Sequence, residues 1–248
     1  MIKRRLLTAV AAVVLAAGCA TTAPPPDERH PQDPWEPYNR NMFKFNMAVD
    51  QAVVRPVAIG YDRITPEPAQ KGIRNFFRNI RSPIDFINLI LQGRPKEAGT
   101  KLMRFTANTV FGIGGLFDVA TPGGVPEHRA DFGQTLAKWG WKDSRYLVLP
   151  VLGPSSIRDG IGRGGDAGFS FAWRWVLEET SYGWILLDGI QARHALLPLD
   201  ADIQSAYDPY IFMRDAWLQR RAHLTSQGEE ELPDYDAFLD ELDDYDDD

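Results

Sequence analysis

The chain contains one cysteine, Cys19, and the residues around it are typical of a lipid attachment site. The small residues Ala16-Ala17-Gly18 precede Cys19, as they do at the cleavage sites of bacterial lipoproteins. Before them lie a short basic stretch and an apolar stretch of about a dozen residues, which suits a signal peptide and is too short to span a bilayer. We therefore expect cleavage after Gly18 and acylation of the Cys19 thiol. The alternative is an ordinary cleavage site with an incidental cysteine.

The residue after the cysteine bears on the membrane to which the lipid would attach. Ala20 stands there, whereas an aspartate would favour retention at the inner membrane. We therefore expect a protein that is lipid-anchored to the periplasmic side of the outer membrane. The rest of the chain contains no cysteine, so the folded body can hold neither a disulfide nor a cysteine-ligated metal.

The residue types that serve in catalysis do not form a catalytic pattern here. Ser155 and Ser156 lie outside a G-x-S-x-G motif, which would mark the nucleophile of a hydrolase. The histidines are scattered, with no HExxH motif and no pair at metal-ligand spacing: His30, His128, His194 and His223. We therefore expect no enzymatic activity, no cofactor and no metal site.

Glycine-rich runs occur twice, and each has some features of a phosphate-binding loop. The run 160–165 lacks the lysine and the serine or threonine of a P-loop. The run 112–115 resembles part of a dinucleotide-binding fingerprint, but it lacks a preceding strand and a third glycine at the right offset. Because glycine adopts backbone conformations that other residues avoid, we expect Gly112, Gly114 and Gly115 to form a turn or hinge.

Composition and charge divide the chain into four parts. We predict a signal peptide over 1–18, a lipidated cysteine with a flexible, proline-containing linker over 19–34, a helical domain over 35–228 and an acidic, disordered tail over 229–248. The tail contains twelve acidic residues and no basic ones, and it accounts for the net charge of −7, since the rest of the chain carries 27 basic and 22 acidic residues. No dense basic patch is present, so nucleic acid is not an expected partner.

Helical periodicity dominates the predicted domain. Met42, Phe45, Val49 and Val53 share one helix face, and we expect this helix to end near Pro56. A second helix is expected to begin near Pro68, because proline suits the first helical turn. Its apolar side would carry Ile73, Phe76, Phe77 and Ile80, and a basic stripe beside them would carry Lys71, Arg74, Arg78 and Arg81.

A third helix is predicted where Ser82 and Pro83 form a start signal. It would run from Ile84 to Gln92 and is apolar on nearly every side, so it must be buried in protein or in lipid. The best strand signal is 146–152, which Pro150 interrupts. These patterns predict an all-α fold, a single helical domain with irregular loops and at most a short hairpin. No segment after Cys19 has the roughly 20 apolar residues of a spanning helix.

A series of motifs along the predicted domain resembles the MlaA (VacJ) family of outer-membrane lipoproteins. The motifs occur in order and cover nearly the whole domain: Asp33-Pro-Trp-Glu-Pro-Tyr-Asn-Arg40, Asn75-Phe-Phe, Leu91-Gln-Gly93, Gly112-x-Gly-Gly-Leu-Phe-Asp118, Asp131-Phe-Gly-Gln-Thr135, Leu149-Pro-x-Leu-Gly-Pro-Ser-Ser-x-Arg-Asp159 and Asp208-Pro-Tyr-x-x-x-Arg-Asp215. The segment 141–146 departs from the glycine-rich sequence usual in that family.

The resemblance implies a ring-like helical domain embedded in the inner leaflet of the outer membrane, around an amphipathic channel. Its implied function is to remove mislocalised phospholipids from the outer leaflet and to pass them to a soluble periplasmic lipid carrier, which maintains lipid asymmetry. Trimeric porins are the implied protein partners. If a channel is present, we expect the apolar helix faces to supply its wall or gate: Met42, Phe43, Phe45, Asn46, Val49, Phe76, Phe77 and Ile80.

The basic stripe has two interpretations. Lys71, Arg74, Arg78 and Arg81 are candidates for binding phospholipid headgroups, and the alternative is a solvated helix face. For the protein as a whole, the rival hypotheses are a membrane-anchored periplasmic scaffold that binds only protein partners and a lipid-cleaving enzyme. Phospholipid that co-purifies with the protein would favour transport over the scaffold, and release of lysophospholipid would favour the enzyme.

Overall fold

The computed structural model describes residues 29–174 and 181–226. The predicted signal peptide, Cys19, most of the predicted linker and the acidic tail lie outside these residues. The described part is mostly helical with one small sheet, as the sequence predicts. The helices are α1 (Glu36–Val49), α2 (Arg55–Ile64), α3 (Glu67–Leu91), α4 (Pro95–Val110), α5 (Phe132–Lys138), α6 (Ile157–Arg174), α7 (Ser181–His194), α8 (Asp200–Ser205) and α9 (Pro209–Ser226).

The first helix does not end at Pro56, so that prediction is wrong. A π-helical turn, Asp50–Val54, joins α1 directly to α2. The backbone N–H of Arg55 donates to the carbonyl of Asp50, five residues earlier. Pro56 then lies in the first turn of α2, where a missing N–H costs no helical hydrogen bond. The helical path ends instead at Ile64, where Thr65 is extended ahead of Pro66.

The predicted helix boundary at Ser82 and Pro83 is also wrong. Helix α3 begins at Glu67, close to the expected start, and continues through Pro83 to Leu91. Ser82 does not cap a new helix, since its hydroxyl donates to the carbonyl of Arg78 at 3.1 Å. One turn further on, Asp85 and Lys101 of α4 form a buried ion pair of 2.7 Å. Packing against α4 thus holds α3 together across the proline.

A short antiparallel hairpin separates α5 from α6. Its strands are β1 (Tyr146–Leu149) and β2 (Gly153–Ser156), paired from Tyr146 opposite Ser156 to Leu149 opposite Gly153. The turn residue Val151 has φ +64°, and the N–H of Leu152 donates to the carbonyl of Pro150 at 2.7 Å. A γ-turn with positive φ is rare and strained, above all at a β-branched residue.

The burial pattern is the reverse of that in a typical soluble domain. Among the described residues, buried polar or charged side chains outnumber buried apolar ones. The buried apolar residues form two small groups, one around Met42 and Tyr146 and the other around Leu89 and Ala98. Many large apolar side chains lie on the surface instead, and three near the α4 C-terminus, Phe111, Ile113 and Phe117, are 76%, 67% and 60% exposed. Within the described ranges, no helix has the length and apolar character needed to cross a membrane.

Candidate lipid site

Buried hydrogen bonds join the first described residues to α9. The Asp33 carboxylate accepts from Asn39 at 2.8 Å and from the hydroxyl of Tyr210. Asn39 also accepts a 2.8 Å bond from the N–H of Val148, which fixes β1 against α1. The Arg214 guanidinium completes the group, with an N–O distance of 3.4 Å to the Asp33 carboxylate. The first and last of the sequence motifs therefore meet in one structural cluster.

A second polar cluster is centred on Arg221 of α9. Its guanidinium contacts the carboxylates of Asp131 and Asp159, with N–O distances of 2.6 Å to each. Asp131 is also the N-cap of α5, where it accepts from the N–H of Gln134 at 2.9 Å. Burial disfavours the charge of Asp131, but the hydrogen bond and positive charge of Arg221 outweigh this effect and lower its pKa. The cluster is an ionised, buried link between α5, α6 and α9.

This cluster forms one wall of a large cavity, which has a volume of about 450 Å³. Three further arginines line it: Arg81 from α3, Arg163 from α6 and Arg220 from α9. Its apolar lining consists of Ile84, Ala167, Trp217 and Leu224. The cavity is thus amphipathic, and its volume lies in the range of sites that hold small-molecule ligands.

Two of the cavity arginines have no acidic partner in the described part of the chain. Among the described residues, no carboxylate lies within ion-pair distance of Arg163 or Arg220, whereas Arg221 is bonded to two. Burial raises the pKa of Asp166, another lining residue, which accepts hydrogen bonds from Asn88 at 2.9 Å and from the N–H of Phe132 at 3.2 Å. The lining holds four arginines and three aspartates, a small excess of positive charge that suits a phosphate group, beside apolar surface that suits an acyl chain.

The predicted headgroup residues are divided between sites. Arg81 lines the large cavity and bonds to Asp85 at 3.3 Å. Arg78 lines a separate polar pocket between α3 and α4, where it pairs with Glu127. Lys71 is exposed and Arg74 is half-buried, and neither is among the residues that line these two sites. The basic residues of the stripe on α3 therefore lie in more than one environment.

The predicted wall and gate residues do not line the large cavity. Met42 is buried in the apolar group with Tyr146, and Phe43 packs edge-to-face on Tyr210. Asn46 bonds to the hairpin turn, accepting from the N–H of Val151 at 2.7 Å. The others are half-buried or exposed: Phe45, Val49, Phe76, Phe77 and Ile80. Their role in a channel stays a prediction.

The three glycines predicted to form a turn lie in the turn that follows α4. Gly114 and Gly115 have φ of +68° and +96°. A Cβ at Gly115 would overlap the Asn79 side chain, and one at Gly112 would overlap the carbonyls of Phe117 and Asn108. Close backbone packing therefore requires glycine at 112 and 115, and left-handed φ favours it at 114.

The polar pocket between α3 and α4 anchors this turn. Arg104 contacts the Asp118 carboxylate at 3.0 Å, the Thr121 hydroxyl at 3.0 Å and the carbonyl of Val125. Asn108 accepts from the N–H groups of Val119 and Ala120 at 2.9 and 3.0 Å. Since its cations face acids, this pocket stabilises the loop and offers little to a ligand.

Sequence reasoning missed most of the residues that line the large cavity. Arg163, Trp217, Arg220 and Arg221 come from helices far from Arg81 in sequence, and no spacing rule connects them. The one available local signal was the adjacent pair Arg220-Arg221. It does not show that one guanidinium is buried against two acids while the other faces the cavity.

Comparisons with known proteins agree with the motif analysis. The profile of the MlaA lipoprotein family matches residues 31–224. The intermembrane phospholipid transport system lipoprotein MlaA of Escherichia coli (strain K12) is 36% identical over 227 residues, covering 89% of this chain and 90% of that protein. Its namesake from Haemophilus influenzae is 34% identical over 216 residues, covering 82% and 84% of the two chains.

A solved structure gives the same result for the fold. It was described under the heading "Structural basis for maintenance of bacterial outer membrane lipid asymmetry" and matches with a TM-score of 0.69 and 34% identity. The match covers 78% of this chain and 98% of the other. The resemblance inferred from the motifs is confirmed, and the chain belongs to the MlaA lipoprotein family.

Proposed function

We propose that this protein transports phospholipids and thereby maintains the lipid asymmetry of the outer membrane. Mislocalised phospholipid would leave the outer leaflet through the large cavity and pass to a soluble periplasmic carrier. The relatives support the transport of phospholipid, since they are named for that system. The direction of transport and the carrier come from the family resemblance.

The observation that carries the proposal is the mixed lining of the large cavity. A phospholipid combines an anionic phosphate with acyl chains, so a protein that transports it needs cationic and apolar surfaces side by side. Arg163 and Arg220 supply cations that no described carboxylate neutralises, and Trp217 and Leu224 supply apolar surface in the same cavity. A cavity of about 450 Å³ can enclose the headgroup and the adjoining chain segments, with the chain ends left outside.

The exposed apolar surface supports a position in the inner leaflet of the outer membrane. Large exposed apolar patches on a protein mark contact with another protein or with lipid. The turn after α4 carries such a patch, with Phe111, Ile113 and Phe117 exposed, and α4 adds Leu102 and Met103. Acyl chains at Cys19 would hold the body against the membrane. A ring-like body in one leaflet, associated with a trimeric porin, is the arrangement that we propose.

Transport rather than catalysis is also favoured by the surroundings of the serines. The Ser156 hydroxyl donates to Asp159 at 2.8 Å, and the next partner of that carboxylate is Arg221 rather than a histidine. A serine nucleophile needs a base that can accept its proton, which this arrangement does not provide. The buried Ser156 caps the start of α6 instead, because the N–H of Asp159 donates to its hydroxyl at 3.1 Å.

The proposal is tested by filling the cavity. In cells that produce the protein with a photo-crosslinking residue in place of Trp217, we expect cross-links between the protein and phospholipid. The added substitution Ala167→Trp should abolish these cross-links. Ala195→Trp, at an exposed position outside the cavity wall, is the matched control. The Ala167→Trp protein should also fail to keep phospholipid out of the outer leaflet, measured by its accessibility to an added phospholipase. If the Ala167→Trp protein still kept phospholipid out of the outer leaflet, the result would contradict the proposal and favour a scaffold that binds only protein partners.

A further inference from the structure

Arg163 lies between the large cavity and the tip of the hairpin. Its guanidinium donates to the carbonyl of Pro154 at 3.1 Å and to the carbonyl of Leu152 at 3.4 Å. The same side chain lines the cavity. A ligand in the cavity and the backbone of the hairpin tip can therefore compete for one guanidinium.

The present partners of Arg163 are weaker than an anion would be. Both are neutral carbonyls, and the nearby carboxylate of Asp159 is already bonded to Arg221 at 2.6 Å and to Ser156 at 2.8 Å. The Arg163 side chain is exposed on α6, so its guanidinium is accessible to a further ligand beside these two carbonyls. A phosphate adds the attraction of opposite charges and can accept two parallel hydrogen bonds from one guanidinium, which two carbonyls on separate residues do not offer.

The hairpin tip depends on external hydrogen bonds for its conformation. Val151 has φ +64°, a strained conformation for a β-branched residue. Asn46 of α1 holds one side of the tip and Arg163 of α6 holds the other. The apolar side chains of Val151 and Leu152 are 69% and 65% exposed, so their own packing contributes little to holding the tip. Loss of either polar contact should therefore let the tip relax.

Building on the proposed function, we propose that Arg163 couples phosphate binding in the cavity to release of the hairpin tip. A phosphate diester that enters the cavity takes the guanidinium N–H groups now given to Leu152 and Pro154. Those carbonyls then accept hydrogen bonds from water, and the strained turn at Val151 relaxes. The tip is then held in place while the cavity is empty and mobile while a headgroup occupies it. The recognised chemistry is a phosphate anion, which a lipid headgroup or free phosphate could supply.

The coupling can be followed with a label on the tip. Because Cys19 is the sole cysteine and acylation would block it, Leu152→Cys gives one free thiol for a spin label in the full-length, detergent-solubilised protein. A short-chain phosphatidylglycerol should increase label mobility, and the matching diacylglycerol, which lacks phosphate, should not. In the unlabelled protein, the same lipid should speed hydrogen exchange of the tip amides about tenfold, equivalent to about 1.4 kcal/mol. Inorganic phosphate should act only at far higher concentration, since it lacks acyl chains.

Substitutions separate contact with the hairpin tip, which involves Arg163, from lipid binding in the cavity, to which Arg220 also contributes. Arg163→Gln should make the tip mobile without lipid and insensitive to it. Arg163→Lys, which keeps the charge, should restore part of the response. Arg220→Gln is the matched control, since Arg220 lines the cavity without contacting the tip: the tip should stay immobile without lipid, and more lipid should be needed to release it.

Three results would overturn the coupling. They are an immobile tip in Arg163→Gln, an equal response to diacylglycerol, and release by inorganic phosphate at the concentrations that suffice for the lipid. The proposed function fails by a different result, namely the absence of phospholipid cross-links at position 217. Cross-links at that position together with an immobile tip would overturn the coupling alone.

Discussion

The side-chain amide of Asn46 holds the backbone of Val151 in its left-handed conformation. Its oxygen accepts a 2.7 Å hydrogen bond from the Val151 N–H, while its nitrogen donates to the carbonyl of Leu149 at 2.9 Å. One residue of α1 thus bridges the two sides of a strained turn more than 100 positions away. This contact gives the sequence-predicted gate residue a defined physical role, because it connects α1 to the hairpin beside the cavity.

We expect Asn46→Ala to loosen the hairpin without unfolding the domain. Loss of two hydrogen bonds should lower the free energy of unfolding by about 1–3 kcal/mol. Asn46→Asp keeps the acceptor for Val151 but loses the donor to Leu149, so its effect should be intermediate. Lys44→Ala, on an exposed position of the same helix, serves as the control. Chemical denaturation and hydrogen exchange at residue 151 measure the effect, and unchanged exchange in Asn46→Ala would contradict this role.

The glycine turn after α4 gives a matched pair of substitutions. Gly114→Ala meets no atom within 4 Å, so the expected cost is only that of a left-handed alanine, about 1–2 kcal/mol. Gly115→Ala carries the same kind of backbone cost and also drives its Cβ into Asn79, so it should destabilise the protein more. Thermal unfolding of both variants tests this order. Equal melting temperatures would show that the turn moves away from α3.

Acid stability should depend on Asp118. Burial disfavours its charge, but hydrogen bonds from Thr121 and the positive charge of Arg104 outweigh this and lower its pKa from 3.8 to about 2. The folded-state pKa is depressed, so the stabilisation is present above pH 4 and is lost as the pH falls towards 2. The shift corresponds to about 2 kcal/mol. Asp118→Asn should remove this part of the pH dependence, measured by denaturation between pH 2 and 5, and Asp143→Asn, at an exposed position, should not.

Lipidation is expected at Cys19. Each buried acyl CH₂ contributes about 0.8 kcal/mol, so several chains anchor a protein firmly where one is marginal. Mass spectrometry of the mature protein should find the N-terminal residue to be an acylated Cys19. Cys19→Ser should leave the protein unlipidated and weaken its attachment to the outer membrane. An unmodified N-terminus, or one that begins elsewhere, would contradict the prediction.

The sequence was sufficient for the family and the helical fold, because both depend on local patterns and ordered motifs. It was misleading at Pro56 and Pro83, where local rules predict helix ends. There, a π-helical turn and packing against α4 keep the helices continuous. The cavity could not be predicted, since its arginines occupy distant positions on three helices and tertiary structure decides which of them is paired with a carboxylate. Arg220 and Arg221 are adjacent in sequence, yet only Arg221 is neutralised by Asp131 and Asp159.

The basic stripe on α3 provides the last prediction, because its members lie in different surroundings. Arg81 lines the large cavity, and Arg74 lines neither cavity described above, so only Arg81 should contribute to lipid binding. Arg81→Gln leaves no buried acid unpaired, since Asp85 keeps its 2.7 Å contact with Lys101. We therefore expect a folded protein whose affinity for phospholipid is reduced about tenfold, equivalent to about 1.4 kcal/mol. Arg74→Gln removes the same charge from the same helix and should bind normally. Cross-linking at position 217 across a lipid titration measures both, and equal losses would show that the stripe attracts lipid as a diffuse charged face rather than through the cavity.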